Sequence, residues 1–285
     1  MSETTKTPGK AVIIVAAPGV ERAGWQAALA DSGWDVVCLD SAGPALEHLN
    51  RHVPDVLVAE IDLRPAGALE LLKLVKAKWA GIRIVCTAHE HRAGDVLECL
   101  RGGAADYVCR PFDAAQLVAA VEEAYRTTAD EEAIQIEMGE KGWIQLRMPS
   151  SERSMRRLDK FFRLLHTTEV APETLEEISL CFTEIVKNAI EWGHRFDISK
   201  RILISHTLFQ DEIVFKVEDT GQGFEMGRVL APSDDLIAME TEREAAGKRP
   251  GGLGMTMVAG MMDSVIYNRA GNMLVISKKL YDDVD

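Results

Sequence analysis

Short β-prone runs alternate with helix-period stretches from Ala11 to about Arg126: AVIIV at 11–15, DVVCL at 35–39, DVLVAEI at 55–61, RIVCT at 83–87 and DYVC at 106–109. Five strands with intervening helices predict an α/β domain built on a parallel sheet. Near-continuous apolar strands fit a sheet covered on both faces, and ligands of such sheets gather at the carboxyl ends of the strands. Those ends are Ala16, Glu60, Thr87 and Arg110.

The pattern breaks at TTADEEAIQIEMGEKG, which is charged and poor in bulky apolar residues. It is expected to be a linker over 128–142, or a helical extension, separating domains at 10–127 and 143–282. Beyond it the order changes. A strand at 143–147, helices near 151–166 and 173–192, and strands at 201–208 and 212–218 precede a long polar stretch. A helix near 253–262 and strands near 263–267 and 272–279 complete an α+β sandwich pattern with helices on one sheet face.

Composition agrees with two domains, since 285 residues at 47% hydrophobic content exceed one usual core. No apolar run approaches a membrane span, and MSETTKTPGK lacks the hydrophobic segment of a secretory signal, so a cytoplasmic protein is expected. The cysteines, Cys38, Cys86, Cys99, Cys109 and Cys181, show no CxxC spacing and sit mostly among apolar neighbours, which points to reduced thiols. A net charge of −13 argues against direct binding of nucleic acid.

Candidate chemistry concentrates in the second half. In the helix opened by Pro172, Ile178, Phe182, Ile185 and Ala189 recur at helical spacing as a buried face, and Glu184, Asn188 and Glu191 form a polar stripe on another. A carboxylate and an amide one turn apart can orient a hydroxyl and hold Mg²⁺ beside phosphates, although a solvated helix face shows the same stripe. In VEDTGQGF at 217–224, an acidic residue ends a strand and two glycines let the backbone approach a ligand, so Asp219 can accept an exocyclic amine of adenine. GGLGM at 251–255 then sets backbone amides at a helix N-terminus, where phosphate binds.

In this order, ExxxNAxxxG (Glu184 to Gly193), DxGxGF (Asp219 to Phe224) and GGLGM resemble the N, G1 and G2 boxes of the histidine-kinase-like ATPase fold, an α/β sandwich. IQLRMPSSERSMRRLDKFF and MDSVIYNRAGNMLVISKKL are most similar to its bacterial anti-sigma regulatory kinase branch. The resemblance implies ATP and Mg²⁺ as cofactors, with Glu184 as general base and Asn188 as Mg²⁺ ligand. Asp219, Gly221 and Gly223 match the adenine pocket, and Gly252 and Gly254 the phosphate-side glycines. It implies phosphoryl transfer to a serine or threonine of an anti-anti-sigma (STAS-type) partner, or capture of a sigma factor, and a possible homodimer. Trp192 stands where many relatives carry His or Tyr, and residues 225–250 fit either a lid over nucleotide or an ordinary loop.

PDVLVAEIDLRPAG, IVCTAHE and ADYVCRPFD resemble response-regulator receiver domains, which implies a flavodoxin-like (βα)5 fold over 10–127. The site departs from that family. Ala16 and Ala17 replace the acidic residues that bind Mg²⁺, and Glu60 occupies the phospho-acceptor position with Asp62 nearby. Thr87 fits the switch hydroxyl, and Arg110 replaces the usual lysine, so a bidentate Glu60–Arg110 pair is expected to hold one conformation. The expectation is a degenerate receiver that works without phosphorylation, with a purely structural domain as the alternative. Two rivals remain for the whole chain: a non-catalytic ATP-binding module that sequesters its partner, and an atypical histidine kinase using His166. His166 and His194 are otherwise ordinary histidines, His194 with a possible place in the ATP site.

Overall fold

The structure, a computed structural model, describes residues 5–6, 9–63, 68–127, 134–138, 143–167, 169–209, 211–223 and 253–280. The chain divides into two compact units, Met1–Glu132 and Ala133–Asp285. Among the described residues no helix is long and apolar enough to cross a membrane.

In the first unit, β1 (Thr5–Lys6), β2 (Lys10–Val15), β3 (Trp34–Leu39), β4 (His52–Val53), β5 (Val56–Glu60), β6 (Arg83–Ala88) and β7 (Asp106–Cys109) alternate with five helices. These are α1 (Val20–Asp31), α2 (Ala42–Leu49), α3 (Ala68–Lys78), α4 (Ala93–Arg101) and α5 (Ala114–Arg126). The five longer strands form a parallel sheet in the order β3-β2-β5-β6-β7, the flavodoxin-like arrangement, while β1 and β4 pair separately. Both faces are covered, which is why β2 reads as continuous apolar sequence. Val12 and Ile14 join Trp25 and Leu29 of α1 and Leu117 and Val121 of α5 in one cluster, while Ile13 and Val15 are equally buried on the other side. Asp113 and Gln116 close a reciprocal capping box that starts α5. Strand order reverses between β2 and β5, so the residues following β2 meet the end of β5 at the topological switch point.

In the second unit, β8 (Gln135–Met138), β9 (Ile144–Pro149), β10 (Arg201–Leu208), β11 (Glu212–Glu218), β12 (Ser264–Tyr267) and β13 (Met273–Lys279) form one antiparallel sheet, ordered β12-β13-β11-β10-β9-β8. Residues 135–138, expected in the linker, instead pair with β9 in the register Ile136↔Leu146. An edge strand buries little, so its polar sequence gave no strand signal. The helices are α6 (Glu152–His166), α7 (Pro172–Asn188) and α8 (Leu253–Met261). The helix expected to run to residue 192 ends its α segment at Asn188 and continues as a π turn, Ala189–Gly193.

Strict alternation along β11 buries Ile213, Phe215 and Val217. The register sets them beside His206 and Ile204 of β10 and Ile276 and Leu274 of β13. Phe162 of α6 and Phe182 of α7 pack on this face, both within 6.0 Å of Phe215 by ring centroid.

His206 is the odd member of that core. Its ring stacks on Phe215 and meets Phe162 and His166 edge-on, and its Nε2 has no hydrogen-bond partner among the described residues. Burial pushes its pKa down to about 3, and the neighbouring His166 is lowered by burial as well. The folded state therefore keeps His206 neutral, whereas the unfolded chain protonates it below about pH 6.5. Because the unfolded state binds the extra proton, stability falls as pH drops below that value, by roughly 1.4 kcal/mol per unit. Between pH 7 and pH 5 this group costs the second unit about 2 kcal/mol. Urea midpoints at the two pH values should show that loss, and His206→Leu should remove most of it. An acid slope unchanged in the variant would assign the loss to other groups.

Candidate functional site

Helix α7 buries Ile178, Phe182 and Ile185, leaving Glu184 and Asn188 half-buried one turn apart. Helix α8 packs against it. Asn188 Nδ2 donates to Met255 Sδ at 3.4 Å, and the sulfurs of Cys181 and Met261 are 3.9 Å apart. A Cβ on Gly254 would overlap the Glu184 carboxylate, so only glycine there lets the first turn of α8 approach it this closely. That turn carries the N–H groups and the positive end of a helix dipole.

After Asn188 the chain widens into the π turn, closed by His194 N–H donating to Ala189 O at 2.9 Å. Arg195 and Phe196, at φ 55 and 60, then turn it back. The widened turn delivers Gly193 to the end of β11. A Cβ on Gly193 would stand 2.5 Å from Asp219 Oδ1, and one on Gly221 would stand 2.6 Å from both that oxygen and Gly193 Cα. Gly223, at φ 69, lies against the backbone of Ala270, whose carbonyl oxygen a Cβ would overlap.

Asp219 is fixed from three sides. Its Oδ1 accepts from Gly221 N–H at 2.6 Å, its own N–H donates to Asn272 O at 3.0 Å, and its carbonyl accepts from Asn272 Nδ2 at 3.1 Å. Asn268 shapes that turn, with Oδ1 accepting from the N–H groups of Gly271, Asn272 and Met273. Burial raises the Asp219 carboxyl above its ordinary value, opposed by the Gly221 N–H and by His194. His194, 1% exposed, has Nε2 within 3.0 Å of Thr220 N and 3.1 Å of Thr220 Oγ1. The arrangement offers a half-buried acceptor, Asp219, with glycine backbone close against it, and a second carboxylate, Glu184, at a helix N-terminus.

Glu184, Asn188 and Gly254 thus gather on α7 and α8, and Asp219, Gly221 and Gly223 gather in the loop after β11. Gly252, Phe224 and the 225–250 stretch lie outside the described residues. Trp192 is 46% exposed and His166 is buried beside His206. Asn268 and Asn272 stand in none of the three boxes, and only the β12–β13 turn brings them to Asp219. Gly193 is the last letter of its motif, and its close approach to Asp219 supplies the reason.

In the first unit, Glu60 is 3% exposed at the end of β5. Its Oε2 accepts from Ala17 N–H at 2.9 Å, and its Oε1 meets His89 Nε2 at 2.9 Å and Arg110 Nη2 at 3.1 Å. The pairing with Arg110 is not bidentate as expected. The guanidinium carbon lies 5.4 Å from the Trp25 ring centroid, and Nη2 alone is shared between Glu60 and Glu21, the latter at 2.6 Å. Arg110 Nε and Nη1 and Thr87 Oγ1 have no hydrogen-bond partner among the described residues. Asp62 accepts from His89 N–H at 2.6 Å, and Ala16 is buried at the end of β2. His89, just after β6, and Glu21, in the first turn of α1, carry no motif that ties them to Glu60 and Arg110, and only the fold brings them together.

Comparison with known proteins bears on both units. Residues 148–278 match the histidine kinase-like ATPase domain family and residues 12–122 the response regulator receiver domain family. The anti-sigma F factor of Clostridium perfringens is 32% identical over 111 residues, covering 38% of this chain and 74% of that protein. The serine-protein kinase RsbW of Oceanobacillus iheyensis is 24% identical over 112 residues, 39% of this chain and 69% of that protein. The virulence transcriptional regulatory protein PhoP of Salmonella typhimurium is 29% identical over 91 residues, 32% of this chain and 41% of that protein.

Proposed function

The chain belongs to the histidine kinase-like ATPase family through residues 148–278, and we propose that this domain transfers the γ-phosphoryl group of ATP to a serine or threonine of an anti-anti-sigma partner. The sigma factor held or released as a result is its second partner. In this reading Asp219 accepts the exocyclic amine of adenine, and Gly221 and Gly223 admit the ring close to the backbone. Gly252 and Gly254 bring amides to the phosphates. Glu184 takes the proton of the attacking hydroxyl as its oxygen bonds to phosphorus and the bond to ADP breaks. Asn188 is the residue that would hold Mg²⁺, whose charge offsets that of the phosphates. Its Nδ2 already donates to Met255, which leaves the oxygen end of the amide for the ion.

The observation that carries this reading is the contact between Gly254 and the Glu184 carboxylate, which sets a base against a helix N-terminus. The first unit is read as a regulator that needs no phosphate, because the Glu60 carboxylate is already engaged by Ala17, His89 and Arg110. A net charge of −13 favours protein partners over nucleic acid in the cytoplasm.

The test is incubation of the full chain with γ-labelled ATP, Mg²⁺ and a serine-bearing anti-anti-sigma protein. Acid-stable label on a serine or threonine of that protein supports the kinase. ATP binding without any transfer supports a sequestering module instead. In isothermal titration with Mg²⁺ and ATP, Asn188→Ala should weaken binding about tenfold or more, roughly 1.4 kcal/mol. Equal affinities would remove Asn188 from the metal's environment.

A further inference from the structure

One buried side chain beside the nucleotide pocket has no part in the scheme above. His194 ends the π turn, and its imidazole is enclosed between that turn and the loop after β11. Thr220 N–H can only donate, so at 3.0 Å His194 Nε2 must present its lone pair. The ring proton then sits on Nδ1, which has no hydrogen-bond partner among the described residues. Thr220 lies between Asp219 and Gly221, so this bond grips the middle of the loop. The Asn272 amide holds the same loop at Asp219 from the sheet side.

We propose that His194 is a positioning residue: through the bond from Thr220 N–H to Nε2 it holds the Asp219–Gly221 loop in the shape that receives the nucleobase. This rests on Asp219 being the adenine acceptor. The two grips are not equivalent, because the Asn272 amide does not titrate and the imidazole does. An imidazolium has no lone pair, so protonation turns Nε2 into a donor that the Thr220 N–H cannot meet and breaks the grip on the backbone, leaving Thr220 Oγ1 as the one acceptor on that residue within reach. The charges facing the ring are Asp219 and Asp197, which favour its protonation, and Lys200, which opposes it, with burial the largest influence and against it. Nucleotide affinity is therefore retained at neutral pH and lost from the acid side as His194 takes up a proton.

The experiment is titration of the full chain with Mg²⁺ and ATP between pH 5 and 8, for the unaltered protein, His194→Gln, His194→Leu and Asp219→Asn. Thermal melts accompany each protein. Glutamine reaches Thr220 with an oxygen that accepts at every pH, so His194→Gln should bind within about threefold of the unaltered protein at pH 7.5, less than 1 kcal/mol. Its acid-side decline should begin at a lower pH. His194→Leu fills the space without an acceptor and should bind about tenfold more weakly with its melting temperature retained. Superimposable pH profiles for the unaltered and Gln proteins, or full affinity in His194→Leu, would overturn the positioning role. Should His194→Leu fail to fold, the Gln profile decides alone. Loss of affinity in Asp219→Asn alongside unchanged His194 variants sinks this inference only. An Asp219→Asn protein that binds ATP normally sinks the adenine pocket as well.

Discussion

Glutamine in place of Glu184 lowers phosphoryl transfer by about 10²- to 10⁴-fold, the usual contribution of a positioned general base, while ATP affinity stays near that of the unaltered protein. The amide keeps the shape and the hydrogen-bonding reach of the carboxylate but cannot take a proton. Gly254→Ala approaches the same group from the other helix. Its Cβ would overlap the end of the Glu184 side chain, which is flexible and must move aside. Alanine also suits an α-helix better than glycine, by roughly 1 kcal/mol, so α8 should hold or gain stability. The two variants should thus share a loss of transfer, measured as single-turnover label on the partner protein, without sharing any loss of fold. Transfer that survives Glu184→Gln would assign the base elsewhere.

Arg110→Met destabilises the first unit by about 3 kcal/mol, at the lower end of what breaking a buried ion pair costs. Glu60 is 3% exposed and would keep only the Ala17 N–H and His89, while Glu21 is well exposed and loses little. The Arg110 stack on Trp25 is also lost, though methionine replaces part of that contact. The double variant Glu60→Gln, Arg110→Met should recover most of the loss, because the cost lies in the stranded charge more than in the absent attraction. Urea unfolding followed by tryptophan fluorescence measures both. A single variant within about 0.5 kcal/mol of the parent would mean that water already reaches Glu60. Acetyl phosphate should leave no acyl phosphate on this unit, and one at Asp62 would contradict its phosphate-independent operation.

Burial of strand faces is what made the fold legible. In β10 and β11 the apolar positions alternate or run continuously, and the expected ranges, 201–208 and 212–218, are those observed. Where burial is slight, as at β8, composition resembled a linker and pairing was missed. The three boxes were readable because glycine and acidic residues stand at fixed spacing in them. What the spacing did not convey is how the boxes touch. Gly193 against Asp219 and Gly254 against Glu184 are contacts between elements distant in sequence. Asn268 and Asn272 stand in no motif, and their grip on Asp219 needs the pairing of β13 with β11. His206 carried no motif, and its burial follows only from the register that sets it opposite Phe215.

The π turn makes length a property of the site. An α-helix advances about 100° around its axis per residue, whereas Ala189–Gly193 closes on a wider ring, with His194 bonding back to Ala189. Removing Ile190, Glu191 or Trp192 would close this stretch as an ordinary α turn, with four residues where there are now five. His194 N–H could then no longer close the wide ring on Ala189 O from which the chain turns back through Arg195 and Phe196. Every side chain named in the three boxes could survive such a deletion while the turn that delivers Gly193 to Asp219 is rebuilt. For this segment, drift by substitution is open along much of its exposed face, and drift by insertion or deletion is closed.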